Sequence, residues 1–262
     1  MHSKILFYFA IYSFLGWCVE SIYKSVLEKK WINSGFLHGT FCPIYGFGAV
    51  IMISILTKVP HNIFIVFIIS TILLTIWEYV VGFLLEKIFK TKYWDYSKLP
   101  FNINGRVCLK NSAYWGVLGV LFTFIIHPLI ESIVRDIPKE ILFYSNIIIY
   151  VILLTDGVIS ITKILFIDKK IEQLYEIGEK IKEKINELKE QDLAEKVPTE
   201  NIVSVIGELK QKQAVLKIKL YKLVIRLKKA FPTMQSETIS KFVNQKIEFK
   251  NIRNKIRKNK GE

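Results

Sequence analysis

Long apolar runs fill the first 167 residues of this 262-residue chain, and they constrain its fold more than any other feature. A helix that crosses a lipid bilayer needs about 20 mostly apolar residues. Five runs reach or approach that length, at about 4–27, 43–57, 62–89, 109–128 and 140–167. We therefore predict an all-α, polytopic membrane protein with about five transmembrane helices, the second of which is short.

Two short links between these runs each contain a proline, at Thr57–His61 and Ile130–Lys139. Proline in a short link favours a tight turn between antiparallel helices. Pro43 stands at the start of the second run, where a helix tolerates proline because its first N–H groups have no intrahelical partner.

Charge divides the chain into two modules. Residues 1–167 carry 14 Lys/Arg and 9 Asp/Glu, whereas residues 168–262 carry 23 Lys/Arg and 14 Asp/Glu. We predict a transmembrane domain over 1–167 and a soluble helical tail over 168–262. Nucleic acid is not an expected partner, since no recognition motif accompanies the positive charge.

Basic residues gather on one side of the predicted bundle, in the first and third interhelical segments and at the start of the tail. They are Lys24, Lys29, Lys30, Lys87, Lys90, Lys92, Lys98, Arg106, Lys110, Lys169 and Lys170. The positive-inside rule then places the N-terminus outside and the tail in the cytoplasm. Richness in Ile, Lys and Asn indicates an AT-rich bacterial genome, so we expect a multi-pass protein of the bacterial inner (plasma) membrane.

The tail has the pattern of a helical hairpin or coiled coil. We expect one helix over about 168–194, a break at Pro198 and a second helix capped by Thr199. The second helix has a seam with alternating spacings of four and three residues, as in a heptad repeat. Its members are Ile202, Ile206, Leu209, Gln213, Leu216, Leu220, Leu223 and Leu227. An intramolecular hairpin and a coiled coil between chains both fit this seam, and the second would make a homo-oligomer. A third, basic helix is expected after Ser236.

A shift of 66 residues aligns the first two helical hairpins without a gap. The identical pairs are Gly16/Gly82, Glu20/Glu86, Ile22/Ile88, Lys24/Lys90, Gly39/Gly105 and Cys42/Cys108. Gly, Glu and Cys are uncommon in apolar sequence, so the pattern indicates an internal repeat of two parallel hairpins, with the fifth helix outside it. The alternative is that helix ends at one membrane face converge on similar residues.

Four acidic residues are predicted to lie at membrane depth within the apolar runs: Glu20, Glu78, Glu86 and Asp156. An ionisable group at membrane depth is costly unless it is paired or hydrated, and it often marks an ion or substrate path. We predict such a path along these acids, with Asn104 and Arg106 lining or gating it. The alternatives are a structural hydrogen-bonding role for Glu78 and Asp156 and an interfacial position for Glu86.

The loops after the first and third runs are rich in Gly, Asn and aromatic residues, which permits tight or re-entrant backbone. His38, Cys42 and Cys108 are the ligand types of a soft-metal site. Two of them border apolar helix starts, so we predict no metal and no cofactor. Three cysteines cannot all pair, which argues against a disulfide framework.

Several unusual strings occur in order along the chain. They are FLGWCVE (14–20), NSGFLHGTFCPIYGFG (33–48), WEYVVGFLLEKIF (77–89), YWDYS (93–97) and FNINGRVCL (101–109). In these strings the chain resembles the bacterial family named putative ABC-transporter type IV, or CmpB-like permeases, over about residues 5–165. It departs from the usual family pattern at Thr40, where members have Pro, and at Tyr93, where they have Trp. The resemblance implies a permease-like membrane protein.

Three functions are consistent with these features. The leading one is a permease-like subunit that transports a small solute or ion. Since the chain has no G-x-x-x-x-G-K-[ST] loop, a separate ATPase subunit would hydrolyse the nucleotide. The second is a membrane scaffold or sensor that signals through the coiled-coil tail. The third is a membrane-embedded enzyme acting on a lipid-like substrate; we found no catalytic motif and do not expect an enzyme.

Overall fold

The computed structural model describes residues 2–193, 200–240 and 242–243 and is mostly helical. Its elements are α1 (His2–Glu28), α2 (Pro43–Leu56), α3 (Ile63–Phe89), β1 (Asn102–Ile103), β2 (Val107–Cys108), α4 (Leu109–Leu121), a π-helical turn (Phe122–Ile126), α5 (His127–Arg135), α6 (Lys139–Leu165), α7 (Ile167–Leu193) and α8 (Glu200–Ala230). The described residues form two compact units: 2–161 with 228–235, and 162–193 and 200–227 with those described after 235.

Four stretches in the described part of the chain are long and apolar enough to cross a membrane. They are Ser3–Glu28, Ile63–Phe89, Leu109–Arg135 and Lys139–Leu165. The remaining predicted helix, α2, has 14 residues, which is shorter than a full span requires. Large apolar side chains such as Ile68, Ile72 and Ile76 of α3 are exposed, as expected of helices that face lipid.

The predicted end of the fourth span was wrong. We placed a turn over Ile130–Lys139, but the helix continues through Pro128 to Arg135. Proline removes one backbone donor from a helix, which ordinarily kinks or ends it. Here a π-helical turn precedes the proline, and the N–H of His127 donates to the carbonyl of Phe122. The π-helical turn shifts the hydrogen bonding by one residue, which accommodates the proline without ending the helix.

Small residues bring the helices of each hairpin into close contact. In the α1–α2 pair, a Cβ on Gly46 would overlap the Ser13 hydroxyl and the carbonyl of Phe9. In the α3–α4 pair, a Cβ on Gly119 would overlap Ser70. In lipid, helices associate through close van der Waals packing of this kind rather than through the hydrophobic effect.

The start of α3 follows the usual capping rule, whereas α2 and α4 begin without a side-chain cap. Asn62 is the N-cap of α3, and its side-chain oxygen accepts hydrogen bonds from the N–H groups of Phe64 (2.9 Å) and Ile65 (3.3 Å). Cys42 and Cys108 are the N-cap residues of α2 and α4. The N–H of Cys42 donates to the Ser13 carbonyl at 2.9 Å, which fixes the entry of α2 against α1.

A two-stranded antiparallel ribbon precedes α4, so the all-α prediction missed a small β element. Asn102 pairs with Cys108, and Ile103 pairs with Val107. Asn104 and Gly105 form the turn with φ values of 54° and 69°. Asn-Gly between apolar residues is a strong signal for a hairpin turn, so the sequence contained the evidence for this ribbon.

The second unit contains α7 and most of α8. Along the predicted seam of α8, Ile206, Leu220 and Leu227 are buried. The polar seam residue Gln213 lies near Gly178 of α7, where an added Cβ would be 3.3 Å from its Nε2. Residues 237–240 and 242–243 are helical, as expected for a helix after Ser236. Pro198, Thr199 and most of the basic segment after Lys241 lie outside the described residues.

Candidate functional site

Glu20 lies on α1 and is fully engaged with its neighbours. Its Oε2 accepts hydrogen bonds from the Lys24 ammonium and the Ser34 hydroxyl, both at 2.7 Å, and its Oε1 accepts one from the Tyr45 hydroxyl at 3.0 Å. Lys24 stands one turn further along the same helix face. The Tyr45 ring packs on Gly16, where a Cβ would overlap it. Gly16, one of the glycines of the predicted repeat, thus leaves room for Tyr45 to donate to Glu20.

Glu78 lies on α3 with 4% of its surface exposed. The Tyr96 hydroxyl donates to its Oε1 at 3.1 Å and the Trp115 indole N–H to its Oε2 at 2.8 Å. The Asn111 side chain is a third hydrogen-bond donor to this carboxyl. All three donors are neutral, and no ion pair with Glu78 occurs within the described residues. The carboxyl is therefore hydrogen-bonded without a compensating positive charge.

A cavity of about 30 Å³ adjoins Glu78. Its walls come from α2, α3 and α4, and they include Tyr45, Gly48, Trp77 and Trp115. A volume of this size accommodates about one water molecule, which needs roughly two to four polar partners, and Glu78 supplies one of them. The cavity thus gives the buried carboxyl room for a small polar guest.

An aromatic pair links Glu20 to Glu78 across the two hairpins. The Tyr45 and Trp115 rings lie 6.0 Å apart between centroids, in an edge-to-face arrangement. Tyr45 donates to Glu20 and Trp115 donates to Glu78. Two of the acids predicted from sequence therefore belong to one connected cluster at the contact of α2 with α4.

Tyr96 completes this cluster from the loop between α3 and β1. Burial, followed by the negative charge of Glu78, raises the pKa of Tyr96 well above its usual range. The phenol therefore stays protonated and acts as a hydrogen-bond donor to the carboxyl.

Glu86 and Arg106 form a separate ion pair. The Nε and Nη2 of Arg106 lie 3.0 and 2.9 Å from Glu86 Oε2. The guanidinium also donates to the Tyr79 hydroxyl at 3.1 Å and lies 5.3 Å from the Phe83 ring centroid. This combination of a carboxylate and aromatic faces suits the planar guanidinium better than an ammonium.

The β ribbon positions Arg106 and Asn104 beside α3. Trp94 donates its indole N–H to the Arg106 carbonyl at 2.8 Å, and its ring packs near Gly82, where a Cβ would be 3.2 Å away. The Asn104 amide donates to the Tyr79 hydroxyl at 3.0 Å. Asn104, Arg106 and Glu86 therefore share one cluster around Tyr79, and no described contact joins that cluster to Glu20.

Asp156 of α6 holds the first loop. Its carboxylate accepts hydrogen bonds from the backbone N–H groups of His38 (3.0 Å) and Gly39 (2.6 Å) and from the Ser160 hydroxyl (3.1 Å). A Cβ on Gly39 would be 2.9 Å from Asp156 Oδ2, so the glycine permits this approach. Its repeat partner Gly105 serves differently, as a turn residue with φ of 69°.

The cysteines are not gathered for metal binding. Cys42 and Cys108 are free and buried, and the His38 ring is bonded to Ser160 at 2.6 Å. No group of three or more His, Cys, Asp or Glu side chains suited to a metal occurs among the residues that the structure describes. Burial, followed by the negative charge of Glu20, raises the pKa of the Cys42 thiol to about 12, so this cysteine is a neutral thiol at physiological pH.

Sequence reasoning missed the residues that engage the acids. Tyr45, Tyr96 and Trp115 lie in aromatic-rich segments and were not among the predicted site residues. Trp and Tyr are enriched at membrane interfaces, which concealed their role as hydrogen-bond donors. Lys24, four residues after Glu20 on a helix, was the one partner that spacing could have identified.

Comparison with known proteins gives one match. The family model described as Putative ABC-transporter type IV matches residues 7–161, which include all the acids discussed above and both hairpins. No curated protein and no solved structure matches the chain.

Proposed function

Because the chain belongs to the Putative ABC-transporter type IV family, we propose that it is the membrane subunit of a transporter for a small solute or ion. The observation that carries the proposal is Glu78, a carboxyl on an apolar helix that is buried beside a small cavity and hydrogen-bonded by neutral donors. A charge in that position is costly unless a proton or cation neutralises it. Glu78 is therefore the residue that takes up the coupling or transported proton or cation.

The contact between Tyr45 and Trp115 connects Glu78 to Glu20. We assign Glu20 and its partner Lys24 to the same path for a proton or cation. A second polar cluster consists of Glu86, Arg106 and Asn104. We propose that it gates the path at the same end of the helix bundle. The Asp156 carboxylate orders the first loop, since its oxygens accept hydrogen bonds from two backbone N–H groups of that loop and from the Ser160 hydroxyl. We therefore assign Asp156 a positioning role.

The two hairpins are best explained as an internal duplication. In support, Gly16 and Gly82 each face an aromatic ring, and Glu20 and Glu86 each bind a basic residue. Cys42 and Cys108 each occupy the position before the first residue of a helix. The membrane orientation proposed from the basic loops puts these clusters and the tail on the cytoplasmic side of a bacterial inner membrane. There a separate ATPase subunit would dock, and the seam of α8 would serve an intramolecular hairpin or self-association.

Proton binding by Glu78 is tested without knowing the substrate. Infrared titration of the full chain in liposomes should show a protonated carboxyl band that Glu78→Gln removes. Glu140→Gln is the control, since Glu140 is exposed at the start of α6. An unchanged spectrum in the Glu78→Gln protein would contradict the proposed role of this residue.

The subunit role is tested by crosslinking in cells, purification in mild detergent and mass spectrometry of the proteins recovered. Recovery of an ATPase subunit supports the transporter. Recovery of the chain alone, with an unaltered carboxyl band in Glu78→Gln, would argue for the second function, a sensor or scaffold.

A further inference from the structure

A short segment after α8 pairs with the loop that follows α3. The N–H of Gln235 donates to the Lys92 carbonyl at 2.8 Å, and the N–H of Lys92 donates to the Gln235 carbonyl at 2.9 Å. Two reciprocal backbone bonds of this kind define an antiparallel bridge. The segment, residues 230–235, thus adds a strand-like contact to a loop about 140 positions earlier in sequence.

Side chains on both sides strengthen the bridge. The Thr233 hydroxyl accepts from the N–H of Asp95 at 3.2 Å, and the Gln235 amide donates to the Asp95 carboxylate. The Phe231 and Tyr93 rings lie 4.9 Å apart in an edge-to-face arrangement. Tyr93 is 2% exposed, so the segment covers an aromatic surface rather than lying loosely on it.

The same segment contacts Lys24, which belongs to the Glu20 cluster, that is, Glu20 with its hydrogen-bond donors Lys24, Ser34 and Tyr45. The Lys24 ammonium donates to the Ala230 carbonyl at 2.6 Å, in addition to Glu20 and Ser34. It also lies 5.5 Å from the Phe231 ring centroid. An ammonium has three donors, so the segment supplies one of the three partners that satisfy Lys24.

We propose that residues 230–235 form a latch that controls the Glu20 cluster. When seated, the latch completes the hydrogen bonding of Lys24 and so holds Glu20 and the Ser34 loop together. Ala230 is the last residue of α8, so a movement of that helix end changes the Lys24–Ala230 distance directly. Release of the latch leaves Lys24 one partner short and loosens the loop from Ser34 to Cys42. This regulation holds whatever the protein transports.

Hydrogen exchange of the full chain in lipid nanodiscs tests the contact. Gln235→Pro removes one donor of the bridge, and Phe231→Ala removes its aromatic contact. In each variant the bridge is weakened, and we expect exchange of the Lys92 amide to rise by up to about tenfold, the scale of one hydrogen bond. Lys229→Ala, an exposed neighbour, is the control and should leave it unchanged. Equal exchange of Lys92 in the wild type and Gln235→Pro would overturn the latch.

Alkylation of Cys42 tests the regulatory consequence. Cys42 closes the loop that begins at Ser34, and its Sγ lies against Gly35. Opening the latch should raise the alkylation rate of Cys42 by about tenfold, whereas Lys229→Ala should leave that rate unchanged. A faster Lys92 exchange with an unaltered Cys42 rate would show that the contact opens without controlling the cluster. A parallel rise at Cys18 of α1 would indicate general unfolding and count against the proposal.

Discussion

The indole N–H of Trp115 donates to Oε2 of Glu78 across 2.8 Å, and this bond ties α4 to α3 at a carboxyl that no lysine or arginine in the described chain neutralises. The same indole ring packs against Tyr45, whose hydroxyl donates a hydrogen bond to Glu20. Trp115 is therefore the residue through which the two hairpins share one polar cluster.

Replacement of Trp115 by Phe keeps a ring in the cluster but removes its donor. The Oε2 of Glu78 then remains buried with one bond fewer, and we expect a loss of about 1–3 kcal/mol in the free energy of unfolding. Denaturation in mixed micelles measures this loss. Trp31→Phe is the matched control, since Trp31 is exposed, and should change stability little. Equal effects of the two substitutions would contradict the role of the bond.

Arg106→Lys tests the second cluster. Lysine keeps the charge but cannot contact Glu86, the Tyr79 hydroxyl and the Phe83 face together. The pair is partly exposed, so we expect a loss of about 1 kcal/mol rather than the larger cost of a fully buried pair. A double-mutant cycle with Glu86→Gln measures the coupling, and Arg135→Lys on the exposed end of α5 is the control. Additive effects in the cycle would show that a lysine there interacts with Glu86 as strongly as Arg106 does, and would contradict the role of the guanidinium.

The helices were largely predictable from the sequence because lipid imposes long apolar runs. The predicted 43–57 and 62–89 agree with Pro43–Leu56 and Ile63–Phe89. The error at the fourth span has a local cause. A proline usually ends a helix, and nothing in FTFII (122–126) predicts the π-helical turn that carries the helix past Pro128.

The candidate site was predictable in part. The acids were identifiable since an ionisable residue is conspicuous in apolar sequence. Arg106 was predicted to line the same path, but its pairing with Glu86 and the bond from Tyr96 to Glu78 were not. Both residues reach α3 through a loop and a β ribbon whose conformation depends on tertiary contacts. The pairing of Lys92 with Gln235 could not be predicted from the sequence, because a single backbone bridge produces no periodic pattern of residues.

Cys42 should be inert to alkylation at neutral pH. Its pKa is raised to about 12 by burial and by Glu20, so the thiolate is scarce below that pH and increases as the pH rises toward it. At pH 8 we expect alkylation slower than that of a free cysteine by about two to three orders of magnitude. Peptide mass spectrometry after maleimide treatment from pH 7 to about pH 10 measures the rate. A fast, pH-independent reaction would contradict the buried neutral thiol, and labelling in denaturant gives the reference rate.

Gly119 and Gly157 give a matched pair for testing helix contact in the membrane. A Cβ on Gly119 would overlap Ser70 of α3, whereas a Cβ on Gly157 of α6 meets nothing within 4 Å. Gly119→Ala must therefore move α4 away from α3, and we expect a loss of about 1–3 kcal/mol in the free energy of unfolding. Gly157→Ala should be neutral or stabilising by up to about 1 kcal/mol, because alanine is the better helix former. Since α3 carries Glu78 and α4 carries Trp115, Gly119→Ala should also shift the infrared band of the Glu78 carboxyl. A stability loss without that shift would mean that the hairpin contact and the polar cluster are independent of each other.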